Sequence, residues 1–234
     1  MKFNVVVTGA SRGIGFAVAK RFAAGGHHLV IVARNAVDLE SAKEGLLQAG
    51  AASVTPLVAD LSSTEAISDC VTHIKARFSE VHVLVNNAGL FLGGTMMEEP
   101  SGQFQHLLNT NVISAYEMTR GLWSSMQGVA RAHVFNMCSI ASVTAYAAGG
   151  SYSVAKFALM GFSKSLRLEG MPHGIRVSAV LPGATLTDSW AGVDLPTSRF
   201  MDPADVAETI HTAFAINEQT VMEEVLLRPL LGDI

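Results

Sequence analysis

The feature that most limits what this chain can fold into is a regular alternation. Short runs rich in Val, Ile and Leu fall at 3–8, 29–33, 53–59, 81–85, 133–138, 175–181 and 221–228. Between them lie longer segments with helical periodicity: 16 to the stop at Gly25-Gly26, 38–49, 62 to about 78, 101–127, 152 to about 169, and 203 to about 216. Each short run has the length of a strand and each spacer the length of a crossover helix. Parallel strands need such crossovers, so the pattern predicts a doubly wound, mostly parallel α/β sheet of about seven strands with helices on both faces. Hydrophobic residues make up 49% and charged residues 15% of the chain, a balance that suits strands buried on both faces and helices buried in an oligomer interface. A length of 234 residues predicts a single domain over 1–234.

The same composition narrows the function. A formal net charge of −4 argues against a nucleic-acid binder, which needs a basic face. The two cysteines, Cys70 and Cys138, make no disulfide framework and read as reduced, buried thiols. The first residues run straight into a strand pattern, no apolar run approaches the ~20 residues needed to span a bilayer, and neither end signals a lipid anchor. The expected setting is therefore cytoplasmic. No repeat or low-complexity linker occurs. Of the eight histidines, no pair has metal-ligand spacing, so no metal site is expected, and His27 and His28 after the Gly25-Gly26 stop read as surface residues.

The first strand ends in Thr8-Gly9-Ala10-Ser11-Arg12-Gly13-Ile14-Gly15, and a helix follows. Strand, glycine-rich turn and helix is the setting for dinucleotide phosphate binding. Glycines let backbone approach a pyrophosphate, and the helix end offers free N–H groups and a positive dipole. The bland alternative is a tight turn with no ligand. Arg34 directly after the second strand stands where the adenosine ribose partner belongs. A cation there suits the 2′-phosphate of NADP, with Arg12 nearby to stack or pair, and no Asp or Glu occurs between Gly15 and Asp38 to suit NAD. The alternative is a solvated arginine at a strand end. Asp60, after the third strand, suits either an adenine amine or the cap of the next turn. Ser62 and Glu65 have the spacing of a capping box.

Asn86-Asn87-Ala88-Gly89 after the fourth strand combines small residues that let a ribose come close with amides that fix neighbouring strands. The helix over 101–127 has a weak point at Asn109-Thr110-Asn111. Asn111 there is poor helix chemistry, which points either to function or to a merely exposed side chain. The irregular stretch 188–200 has the length of a lid or substrate wall.

Tyr152 and Lys156 are four residues apart and share one face of a helix. At ~4 Å and an effective dielectric of ~20 the ammonium would favour the phenolate by about 4 kcal/mol, lowering the phenol from ~10 toward ~7. Ser139 upstream can polarise the group that Tyr152 protonates. A packed ring with a solvated lysine is the alternative.

In this order, Thr8-Gly9-x-x-x-Gly13-x-Gly15, Asn86-Asn87-Ala88-Gly89, Asn111, Ser139, Tyr152-x-x-x-Lys156 and Pro182-Gly183-x-x-x-Thr187 resemble the classical short-chain dehydrogenases/reductases, from about Val5 to Arg228. The resemblance implies a Rossmann-type sheet, a nicotinamide cofactor, for which Arg34 favours NADP(H) over NAD, and a small or medium carbonyl or alcohol substrate. It makes Tyr152 the acid or base, gives Lys156 the nicotinamide ribose, Ser139 the substrate oxygen and Asn111 a water linking Lys156 to solvent. It places adenine at Asp60, ribose at Asn86 and the nicotinamide carboxamide at Thr187, with Gly9, Ser11, Arg12, Gly13, Ile14, Gly15, Leu61, Ala88, Gly89, Pro182, Gly183 and Thr185 also binding the cofactor. It also implies a homodimer or homotetramer. The end of the chain, Glu223 to Ile234, lacks the Gly-Gly pair of 3-oxoacyl-[acyl-carrier-protein] reductases, which keeps that activity as the alternative; a non-catalytic dinucleotide sensor is a further one.

Overall fold

The computed structural model describes residues 1–234. Seven strands form one sheet: β1 (Asn4–Thr8), β2 (His28–Ala33), β3 (Ser53–Val58), β4 (Val83–Asn86), β5 (His133–Met137), β6 (Arg176–Pro182) and β7 (Glu224–Leu227). Their order is β3-β2-β1-β4-β5-β6-β7, and every neighbouring pair is parallel. The chain winds outward from β1 to β3, then returns to place β4 on the other side of β1. The segments that follow β1 and β4 therefore diverge and leave a crevice at the strands' carboxyl ends, where such sheets bind ligands. Pro56, which cannot donate to a ladder, is accommodated because β3 is an edge strand.

Alternation along the strands sorts the core into two layers. Val5, Val7, Leu29, Ile31, Val83 and Val85 face one side, against Val18 and Phe22 of α1 (Gly13–Ala23), Leu39 and Leu46 of α2 (Ala36–Gln48), and Val206 and Ile210 of α7 (Pro203–Ala215). Val6, Val30, Val32 and Leu84 face the other, against Ile67 and Ile74 of α3 (Thr64–Arg77), Met118 and Leu122 of α5 (Ser114–Met126), and Leu166 of α6 (Gly150–Gly170). No helix is long and apolar enough to cross a membrane.

The expected helix over 101–127 is divided. A short α4 (Gln103–Leu108) passes into a π turn, Asn109–Ile113, before α5 begins. The last strand is also shorter than its apolar pattern, four residues at the sheet edge.

Two expectations fail locally. The cap of α3 is Ser63, whose hydroxyl accepts the N–H of Ala66 at 3.3 Å, and not Ser62. Asp60 has already taken Ser62, accepting its N–H at 3.0 Å and its hydroxyl at 2.9 Å, so the helix starts one residue later. His27 is not a surface residue. The Gly25-Gly26 turn folds the chain under the sheet, where the buried ring of His27 packs on Phe3 and Phe22 at 5.0 and 6.1 Å and its Nδ1 accepts the N–H of Phe3 at 3.3 Å. His28 is half-buried, with Nδ1 2.8 Å from the Ser53 hydroxyl.

Burial first, and His211 second, lower the His27 pKa from 6.5 to about 4. The unfolded chain therefore binds this proton at a higher pH than the folded one. Stability is lost as pH falls through 6.5 and the loss is complete below about 4, amounting to about 3 kcal/mol for this group. Urea unfolding of wild type and His27→Asn at pH 7.5 and pH 4.5 checks this. The expected result is a wild-type stability that falls relative to the variant on acidification, and a difference independent of pH would refute it.

Candidate active site

β1 and β4 are joined at their carboxyl ends by side chains. The Thr8 hydroxyl accepts the N–H groups of Asn87 and Ala88, each at 3.0 Å, and donates to Val85 O. The Asn87 amide donates to the carbonyls of Thr8 and Gly9, each at 2.9 Å. This clamp sets the glycine-rich turn against the Asn86–Gly89 stretch. The turn is so tight that a Cβ on Gly15 would overlap the carbonyl oxygen of Gly9. The helix α1 that leaves it has no side-chain cap and no acidic residue in its first turn. Its free N–H groups and dipole suit an anion, which is how the turn fits a dinucleotide diphosphate. Ser11 and Ile14 are half-buried in this turn.

Arg34 lies exposed at the end of β2, with its charge open to a 2′-phosphate. Arg12 is otherwise engaged: its guanidinium pairs with Asp188 at 3.1 Å, tying the turn to the stretch 188–200. Asp60 caps the turn after β3: its Oδ1 accepts the N–H and the hydroxyl of Ser62, which lowers its pKa. Leu61 is buried in the core behind it.

The Asn86 side chain is buried, its amide donating to Thr119 Oγ1 and Asn136 Oδ1 at 2.9 Å each; it ties β4 to α5 and β5. Ala88 and Gly89 supply the backbone beside the crevice. Beyond β6, Pro182-Gly183 turns the chain, and the buried Thr185 donates its hydroxyl to Gly183 O at 3.0 Å, which leaves Thr187 as the half-buried hydroxyl there. Past Thr187, a crevice of about 400 Å³ is walled by Leu186, Asp188, Trp190, Val193 and Phe200.

Tyr152 stands in the first turn of α6 and Lys156 one turn on. Ser139 follows β5 and caps a 3-10 turn, Ile140–Ser142, accepting the N–H of Ala141 at 3.1 Å. Lys156 is buried, with Nζ donating to Met137 O at 2.8 Å and lying 5.7 Å from the centre of the Tyr152 ring. Asn111 is buried, not exposed. Its Oδ1 accepts the N–H of Leu90 at 3.1 Å, and its Nδ2 donates to Leu90 O and Leu107 O at 3.0 Å each. The π turn explains its place in a helix, since the side chain takes up a carbonyl that a regular α-helix would use itself.

The electrostatics differ from the expectation of a depressed phenol. Burial is the largest influence on Tyr152 and raises its pKa, while a hydrogen bond with Ser139 works in the opposite direction. Burial likewise lowers Lys156 to about 8. The ammonium is held by a carbonyl, and desolvation is the dominant influence on both groups. The phenol is therefore a neutral acid at neutral pH. Sequence reasoning missed Glu99, Phe91 and Asp188, each brought to this region by a loop with no local signature.

Comparison with known proteins agrees with this layout. Residues 4–196 match the family model described as short chain dehydrogenase. The chain is 34% identical over 242 residues to sepiapterin reductase of Chlorobaculum tepidum, covering 100% of this chain and 99% of that one. It is 31% identical over 185 residues to a 3-oxoacyl-[acyl-carrier-protein] reductase of Chlamydia trachomatis, covering 79% and 75%. Its fold superposes on L-sorbose reductase from Gluconobacter frateurii, complexed with NADPH and L-sorbose, with a TM-score of 0.89, 29% identity and coverage of 97% and 95%. The family match spans all of the crevice-forming residues from the glycine-rich turn to Thr187, and the chain belongs to the short-chain dehydrogenases, a family of oxidoreductases.

Proposed function

We propose that the chain, working as one domain over residues 1–234, is a cytoplasmic NADP(H)-dependent reductase that interconverts a small or medium ketone or aldehyde with its alcohol. The observation that carries this reading is the meeting of the Ser139 hydroxyl, the Tyr152 phenol and the Lys156 ammonium at the carboxyl end of β5, beside the glycine-rich turn. The turn and the free end of α1 would hold the diphosphate, Arg34 would take the 2′-phosphate and Lys156 would hold the nicotinamide ribose; a nicotinamide held there would supply or accept a hydride. Ser139 donates a hydrogen bond to the substrate oxygen and Tyr152 donates its proton to that oxygen, so hydride and proton together complete the alcohol. Lys156, with a pKa of about 8, is mostly cationic at pH 7 and stabilises the phenolate left behind. Asn111, anchored on Leu90, holds the π turn beside Lys156.

The relation to sepiapterin reductase covers the whole chain, and that to the 3-oxoacyl reductase stops at about four-fifths of it. That difference favours a small free carbonyl over a carrier-bound thioester. Sepiapterin, L-sorbose and a 3-oxoacyl thioester form the first panel to test with NADPH by absorbance. Tyr152→Phe is expected to reduce kcat by about 10²–10⁴-fold with little change in NADPH affinity, as for loss of a general acid. Full activity in that variant would disprove the assignment. Arg34→Ala is expected to weaken NADPH binding by roughly 10- to 100-fold and leave NADH binding unchanged, measured by fluorescence titration. Equal losses for both nucleotides would remove Arg34 from the phosphate site.

The outer faces of α5 and α6 leave Tyr116, Val154, Phe157 and Leu168 exposed together, a surface suited to a homodimer. Sedimentation of Phe157→Glu is expected to show monomer where wild type shows dimer or tetramer. An unchanged assembly would place the interface elsewhere.

A further inference from the structure

The helix that carries Tyr152 and Lys156 has no cap of its own. Its N-cap position is Gly149, which has no side chain to accept an N–H, and Gly150 and Ser151 follow. The missing acceptor comes from far away in the chain. Glu99, in the loop between β4 and α4, accepts the backbone N–H of Ser151 through Oε1 at 2.8 Å and the Ser151 hydroxyl through Oε2. The fit is close: a Cβ on Gly150 would overlap Glu99 Oε1. The same loop makes two more contacts with this end of α6. Gly94 donates its N–H to Ala148 O at 3.0 Å, and Ala148 is held at a φ of 59°, which residues with a Cβ rarely adopt. Phe91 meets the Tyr152 ring edge-on at 4.9 Å. At its start, the loop is pinned by Asn111 on Leu90.

We propose that Glu99 is a positioning residue for the reaction, a cap supplied through the tertiary fold that fixes the first turn of α6 and with it the phenol of Tyr152. This rests on the reductase reading above. An acidic group at a helix N-terminus satisfies orphan N–H groups and complements the dipole, so its removal frees the first turn, where Tyr152 sits. Lys156, one turn deeper and bound to Met137 O, keeps its place. The nucleotide turn, across the crevice, is untouched. The cap thus acts on the proton donor and not on cofactor binding.

The test compares Glu99→Ala and Glu99→Gln with wild type in steady-state reduction, NADPH titration, thermal unfolding and amide exchange over 149–153. Glu99→Ala is expected to lower kcat by roughly 10- to 100-fold, with KM and NADPH Kd within about twofold and Tm little changed. Exchange over 149–153 is expected to quicken. Glu99→Gln keeps an oxygen for the Ser151 N–H and is expected to recover most of the rate. Wild-type kcat in Glu99→Ala, or losses of NADPH binding and Tm that match the loss of rate, would overturn the proposal. A wild type that reduces none of the panel defeats the reductase reading instead. The exchange measurement then decides the cap, supporting it if exchange quickens and refuting it if exchange is unchanged.

Discussion

Everything at the crevice depends on how the ends of β1 and β4 are joined. The chain leaves these two paired strands toward opposite faces of the sheet, so the segments after them would diverge without a clamp. Thr8 and Asn87 supply it, exchanging hydrogen bonds through side chains across the gap. The backbone groups used are those that strand pairing no longer satisfies. An unpaired polar group in this position would cost roughly 1–3 kcal/mol, so the clamp is stabilising as well as positional. With it in place, the glycine-rich turn can approach the Asn86–Gly89 stretch closely, and the free end of α1 points into the crevice.

The opposite wall is built on burial. β5 delivers Ser139 and the Met137 carbonyl, and α6 delivers Tyr152 and Lys156 to meet them. Removing the phenol and the ammonium from water moves their pKa values in opposite directions, up for the phenol and down to about 8 for the ammonium. A neutral donor is thereby kept beside a cation that can still hold its proton at neutral pH. The buried amides beneath, Asn86 with Asn136 and Asn136 with Ser163, anchor β4 and β5 to α5 and α6, so the wall has little freedom to drift.

The two irregular features of the site have local causes. The π turn at Asn109–Ile113 releases a carbonyl for Asn111, and Asn111 in turn holds both polar backbone groups of Leu90. The loop from Leu90 onward then runs across the start of α6 and ends its contact at Glu99. One π turn and one distant carboxylate hold the same stretch of chain at its two ends.

The alternation of apolar runs was sufficient for the sheet, its helices and its winding, because burial on both faces leaves a strand few other patterns and because parallel pairing demands a crossover. The order of short motifs was sufficient for the family. Tertiary structure alone decided the rest. It set the sign of the Tyr152 shift, since desolvation depends on what packs around a group and not on its spacing from a lysine. It turned Asn86 and Thr185 inward, moved the cap of α3 from Ser62 to Ser63, and took His27 into the core. It also brought Glu99 to Ser151 across 52 positions of chain. A contact between segments so far apart leaves no periodicity to read, and only the folded backbone brings its two halves into reach.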